Sequence, residues 1–246
     1  MLLLQIVAAT LVGGVLSLIG AALLTFFLRP NMLARMVSFA VGVMLATAFL
    51  DVLPGAFAQT QDQTGLFATV LGGLIAFFAL EKVALWRHSH THEPGEAHER
   101  AAPLVLIGDG FHNFADGVLI AAAFLTHPAL GWTTTIAILA HEIPQEMGDF
   151  LVLLNAGYSR AKAYWLNLAS SATAIIGGIA GYYVLGAVSW LLPYVLALAA
   201  SSFIYIAVAD LIPGMNRRWD ARRALSEMML VIAGIIFIVG LHELMH

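Results

Sequence analysis

The chain has 246 residues, of which 61% are hydrophobic and 11% charged, and it contains no cysteine. An ordinary soluble domain carries about 25% charged and about 45–50% apolar residues. Eleven Lys/Arg and fifteen Asp/Glu cannot cover a water-facing surface on so apolar a chain, so a soluble enzyme, a nucleic-acid binder and a disulfide scaffold are excluded. What remains is a polytopic membrane protein.

A membrane-crossing helix needs roughly 20 predominantly apolar residues. Such stretches fall near 2–28, 33–57, 65–86, 103–125, 130–154, 162–187, 190–213 and 225–244. The runs are continuous rather than alternating, which excludes a β-barrel and predicts an all-α membrane protein of eight transmembrane helices. The first run is too long for the core of a signal peptide and lacks a basic start, so it reads as a retained helix. The whole of 1–246 reads as one transmembrane domain.

The basic residues orient it. Arg29 and Arg35 flank the first connection; Lys82, Arg87 and Arg100 flank the third. Arg160 and Lys162 lie in the fifth, and Arg217, Arg218, Arg222 and Arg223 in the seventh. The even-numbered connections hold none. By the positive-inside rule the odd connections are cytoplasmic and both termini are extracytoplasmic.

Seven acids are left at membrane depth: Asp51, Asp109, Asp116, Glu142, Glu146, Asp149 and Asp210. No Lys or Arg lies in those stretches, and each charge near the bilayer centre costs about 2.5–3.5 kcal/mol on insertion scales. A neutral, hydrogen-bonded polar core is one reading; a cation supplied from outside is the other. In the fourth span, Asp109, His112, Asn113 and Asp116 share a stripe of about 100°. In the fifth, His141, Glu142, Gln145 and Asp149 share one face, with Glu146 at its margin and Pro144 predicted to kink the helix. Imidazole, carboxylate and amide oxygen without thiolate suit Zn²⁺, Fe²⁺, Mn²⁺ or Co²⁺. Met44 on the second span offers one soft ligand.

His112-Asn-Phe-Ala-Asp116-Gly followed by His141-Glu-Ile-Pro-Gln145-Glu resembles the paired signatures of the ZIP (Zrt-/Irt-like) metal transporters, a family also similar to this chain from Ser38-Phe39-Ala40 through Leu53-Pro54 and from Ser202-Phe203 through Asp210-Leu211-Ile212-Pro213. The resemblance implies transport of divalent metal, Zn²⁺ foremost and Cd²⁺ among the others, across the cytoplasmic membrane into the cytoplasm, in a 3+2+3 arrangement of helices. It carries His112, Asp116, His141 and position 145 to a primary metal site, and Asn113 and Glu142 to a neighbouring second site. Gln145 departs from the pattern, where many members have His and some Glu, which puts a bridged two-metal centre in doubt. The lipid bilayer and the metal ion are the implied partners, with a homodimer left open.

Asp51-Val-Leu-Pro-Gly55 and Asp210-Leu-Ile-Pro-Gly214 end spans of opposite direction, the form of an inverted repeat, and alternating access around a midplane site follows as the expected mechanism. A channel-like pore is the alternative. The loop 87–102, with His88, His90, His92 and His98, is expected to be a disordered cytoplasmic metal-binding tract. His242-Glu243-Leu244-Met245-His246 matches the zinc-protease pattern H-E-x-x-H, but that chemistry needs a third ligand and a shaped cavity. It reads as a chance match or an external metal contact rather than an intramembrane protease.

Overall fold

The computed structural model describes residues 1–27, 30–89, 96–215 and 221–245, and every regular element among them is helical. α1 (Leu2–Phe27) is followed by α2 (Pro30–Ala46), a π-helical segment (Thr47–Val52) and α3 (Leu53–Phe57). Then come α4 (Gln63–Ser89), α5 (Glu96–Thr126), α6 (Pro128–Asn155), α7 (Arg160–Ser171) and α8 (Thr173–Ala187). α9 (Leu192–Tyr205) runs through a second π segment (Ile206–Leu211) into α10 (Ile212–Met215), and α11 (Ala221–Met245) closes the chain.

Among the described residues, six stretches are long and apolar enough to cross a membrane: Leu2–Ala21, Arg35–Phe57, Gln63–Leu80, Arg160–Ala187, Ser189–Ala209 and Ala224–Leu244. Each overlaps one of the eight predicted spans. The other two predicted spans fall on α5 and α6, which carry the polar clusters at 109–116 and 141–149 and are not among these six. The stretch 162–187 is built from two helices meeting at Ala172. α6 runs as one helix through Pro144.

One expectation is corrected. The connection 87–102 is not irregular throughout: α4 extends to Ser89 and α5 begins at Glu96. Ala97, Glu99, Arg100, Ala101 and Ala102 are helix-favouring residues, and they lengthen α5 toward its start. His90 and His92 lie outside the described residues.

The two π segments occupy matching places. Each ends just before a proline step, Leu53-Pro54 and Ile212-Pro213, and each contains an aspartate, Asp51 and Asp210. Proline has no amide proton for the carbonyl four residues earlier, and a wider turn is one way to accommodate that loss inside a bilayer.

Helix packing sorts into two groups. α5 packs most extensively on α8 and α6, and α1 lies on α6 and α8. α2 lies along α11, and α4 along α9. The groups meet where α2 and its π segment touch α6 and where α9 touches α5. With lipid offering no hydrophobic drive between helices, close backbone approach supplies much of the cohesion. A Cβ on Gly117 of α5 would lie 2.0 Å from the Ala174 carbonyl oxygen of α8, and one on Gly177 would lie 2.0 Å from that of Phe114. Between α2 and α11 the same holds for Gly42, whose Cβ would meet the Val231 carbonyl oxygen at 2.0 Å.

Helix ends carry local caps. The His127 ring accepts from the amide of Ala129 at 3.3 Å, with Pro128 opening α6, so His127 serves the α5–α6 turn. The Ser159 hydroxyl accepts from the Lys162 amide at 3.3 Å to cap α7, after a turn in which Gly157 takes φ 84°.

Candidate metal centre

The turn between α5 and α6 is a single residue, His127, so the two helices return antiparallel. His112 lies fourteen residues before Thr126, and His141 lies thirteen after Pro128. At a rise of about 1.5 Å per residue both sit roughly 20 Å from the turn, level with each other. The hairpin therefore superposes two polar stripes that are 29 residues apart in sequence.

At that level four side chains converge. His112 Nε2 lies 3.3 Å from His141 Nε2, 3.8 Å from Asp116 Oδ2 and 3.5 Å from Glu142 Oε1. His141 Nε2 lies 3.3 Å from Asp116 Oδ2 and 3.7 Å from Glu142 Oε1. All four residues offer ligand atoms within 4.8 Å of one another. A tetrahedral Zn²⁺ site with bonds of about 2.0–2.1 Å has ligand–ligand edges of roughly 3.3–3.4 Å. The five separations cluster around that edge, slightly expanded.

The orientation of the ligands agrees. His141 Nδ1 lies 3.1 Å from the Ala137 carbonyl, so its N–H donates there and the Nε2 lone pair faces the centre. Asp116 Oδ2 and both Glu142 carboxylate oxygens are buried without a hydrogen-bond partner. Oxygen atoms so enclosed and unpartnered are costly in an apolar interior and are stabilised by a cation. His141, Asp116 and Glu142 are each 2% exposed, whereas His112 retains 26% exposure of its side chain.

Asn113 and Gln145 hydrogen-bond to Asp109 through their amide nitrogens. Asn113 Nδ2 donates to the backbone carbonyl of Asp109 at 3.2 Å and to Asp109 Oδ1 at 3.0 Å. Gln145 Nε2 donates to the same Oδ1 at 3.3 Å. Both amides orient Asp109, whose Oδ2 is left without a partner. Asp109, Glu142 and Glu146 form a second group of carboxylates within 4.8 Å, all buried, with Glu142 common to both groups. Glu146 is held from the far side by the Ser171 hydroxyl, while its backbone carbonyl accepts from Asn167 Nδ2 at 3.2 Å. The sequence contains the signal for this second group, since Asp109 lies on the stripe and Glu146 beside it, yet a helical wheel drew the boundary one residue short.

Met44 is fully buried in an apolar cluster that also holds Val41, Val43, Ala137 and Ile138. His242 of the H-E-x-x-H match donates to Asp51, Glu243 is exposed, and His246 lies outside the described residues. The side chains of the histidines at 88–98 likewise fall outside the description.

A family profile described as "ZIP Zinc transporter" matches residues 1–103 and 86–242 of the chain. The chain is similar to a protein named zinc transporter ZIP13 from Pongo abelii, 34% identical over 229 residues that cover 84% of this chain and 66% of that protein. Its human namesake is 31% identical over 267 residues, covering 84% of this chain and 70% of the relative. Zinc transporter foi from Drosophila melanogaster is 37% identical over 150 residues, covering 61% of this chain but only 21% of that longer protein. The profile takes in nearly all of the sequence, and its two His/acid signatures meet at one point in the fold. The chain belongs to the ZIP zinc transporter family, whose members are transporters and not enzymes.

Proposed function

We propose that this chain carries divalent transition metal, Zn²⁺ foremost with Fe²⁺, Mn²⁺, Co²⁺ and Cd²⁺ as chemical neighbours, across the cytoplasmic membrane into the cytoplasm. The cargo site is His112, Asp116, His141 and Glu142. The observation that carries this reading is the set of five ligand separations between 3.3 and 3.8 Å, the dimensions of a tetrahedral N₂O₂ cage. Borderline imidazole combined with hard carboxylate oxygen binds Zn²⁺ without the near-permanent hold of a thiolate site.

The transport cycle is alternating access. Both carboxylate groups sit wholly on α5 and α6, in one packing group, so the ion can shift with that group relative to α2, α4, α9 and α11. Eight spanning helices in a 3+2+3 order, with both termini outside, suit the distribution of the basic residues. The paired π segments of opposite chain direction favour the inverted repeat on which such a cycle depends.

Zn²⁺ uptake into proteoliposomes tests the proposal. His112→Ala, Asp116→Ala and His141→Ala should each fall below a tenth of native uptake at equal protein incorporation. Undiminished uptake by a correctly folded His141→Ala variant would overturn the site assignment. Uptake that stays linear in Zn²⁺ instead of saturating would favour a pore over a carrier.

A further inference from the structure

Three of the five cage separations cross from α5 to α6, and they are the short ones: His112–His141 at 3.3 Å, His141–Asp116 at 3.3 Å and His112–Glu142 at 3.5 Å, against 3.8 and 3.7 Å within a helix. The cage therefore depends on how closely the two helices are held. Their covalent link, the turn at His127, lies roughly 20 Å away. An arm of that length turned by about 3° moves its end by about 1 Å. A working site must be held within about 0.5 Å.

The fastening beyond the cage comes from a third span. α7 and α8 meet at Ala172, where the Ile175 amide bonds the Ala172 carbonyl at 3.2 Å, only three residues back. Asn167 and Ser171, in the last turns of α7, are buried. Asn167 Nδ2 donates to the backbone carbonyl of Glu146 at 3.2 Å, and the Ser171 hydroxyl donates to the Glu146 carboxylate, both on α6. The Thr173 hydroxyl lies 2.6 Å from the Gly110 carbonyl of α5. Gly110 comes two residues before His112 and Glu146 four after Glu142, so each contact lies within about 6 Å of a ligand along its helix. Both are on the side away from the His127 turn.

We infer that Ser171 and Thr173, with Asn167, are positioning residues for the metal centre: the α7–α8 junction staples α5 to α6 just past the cage and keeps the crossing distances at the size of the ion's ligand shell. Buried Ser and Thr hydroxyls in helices often bond back to their own helix, as Thr10 does to Ile6 and Val7. Ser171 and Thr173 have such carbonyls at hand, Asn167 at 2.9 Å and Ser170 at 2.6 Å, yet each also reaches an oxygen on another helix. A hydroxyl has one proton. On Ser171 the carboxylate is the stronger acceptor and draws it across to α6. On Thr173 the two carbonyls stand at equal distance and share it. The direct bond between the hairpin helices here, Gln145 Nε2 to Asp109 Oδ1, is long at 3.3 Å, and the junction adds a second hold from outside.

The role rests on the cargo site proposed above. Co²⁺ replaces Zn²⁺ as the probe, because its visible bands report coordination geometry, and is titrated into the detergent-solubilised full chain. Thr173→Val keeps the side-chain shape and loses the hydroxyl, and Ser171→Ala loses the hydroxyl alone. Each should raise the Co²⁺ Kd about tenfold, as loss of a supporting partner does, and alter the bands. In proteoliposomes each should raise the KM for Zn²⁺ more than it lowers Vmax. Thr173→Ser, with its hydroxyl retained, should return to the native Kd and bands. Thr10→Val, which removes a buried hydroxyl bonded within α1, should match native protein throughout. Native Kd and bands in both Thr173→Val and Ser171→Ala would overturn the staple, as would a Thr173→Ser variant as weak as Thr173→Val. Ser171→Ala decides the point where Thr173→Val does not fold. Native Co²⁺ binding in His141→Ala would instead overturn the cargo site itself.

Discussion

His242 Nδ1 donates to Asp51 Oδ1 at 2.6 Å, joining residues 191 positions apart and tying the end of α11 to the first π segment. The Asp51 side chain is 3% exposed and that of His242 41%, so a buried carboxylate is met by a donor that still touches the surroundings. The second Asp51 oxygen has no hydrogen-bond partner. Removing the donor should therefore cost more than an ordinary surface change. We expect His242→Ala to destabilise the detergent-solubilised protein by about 1.5 kcal/mol, the lower end for a hydrogen bond to a charged group. His242→Gln, which can still donate, should recover much of the loss in the same thermal melt. Equal melting temperatures for native protein and His242→Ala would show that the contact adds nothing.

Metal itself should stabilise the fold. A ligand that binds only the folded state at a hundred times its Kd adds about 2.7 kcal/mol. Zn²⁺ should raise the melting temperature of the native chain, and a chelator should reverse the rise. His141→Ala should show little response over the same concentration range, because half of the imidazole pair is gone. A full Zn²⁺ shift in that variant would place the binding somewhere else.

Gly117 and Gly177 make the seam between α5 and α8, and their missing Cβ atoms would each lie 2.0 Å from a backbone oxygen. A backbone atom cannot swing away as a side chain can. Gly117→Ala should push α5 off α8, at a cost of about 1–3 kcal/mol, the range for overpacking. Because α5 carries His112 and Asp116, uptake should fall as well. Gly72→Ala, on a site with nothing within 4 Å of the added carbon, is the matched control and should be silent in both assays.

At the short connection before α4, Asp62 accepts from the Gly65 amide and from the Tyr194 hydroxyl, both at 2.9 Å. These bonds, the Gly65 amide first, hold the Asp62 carboxyl below its ordinary value. With the folded-state value lowered, the contribution is present at neutral pH and is lost as the pH falls through that lowered value. The stability difference between native protein and Asp62→Asn should be constant above about pH 5 and shrink on acidification. A difference that grows toward acid would contradict the assignment.

The sequence made the two polar stripes visible because both obey the helical period and both interrupt otherwise apolar runs. The convergence of His112 with His141 rests on the one-residue turn at His127, which the hydropathy pattern does not mark. Three further features were not legible. The π segments at Thr47–Val52 and Ile206–Leu211 change the turn over only six residues each, too short a stretch to alter a hydrophobic period. Glu146 sits at the margin of the wheel, and only three-dimensional packing with Asp109 shows that it belongs to a carboxylate group. Asn113 and Gln145 look like ligands in a linear motif, and only the fold shows that their amide nitrogens also hold Asp109. Residue type alone does not tell which end of an amide faces a site.

Glu142 belongs to both groups of candidate ligands, the His/acid group and the all-carboxylate one, and would lower the barrier between them. Were the ion of the proposed cargo site to move on from His112, His141 and Asp116 to Asp109 and Glu146, it would not have to pass through a bare or fully rehydrated state. It can exchange neighbours one at a time while one carboxylate stays attached, as a climber moves a hand only when the other is fixed. The cost of the passage is then that of swapping single bonds rather than of assembling a new shell. Replacing this one glutamate should slow passage more than it weakens binding at either end.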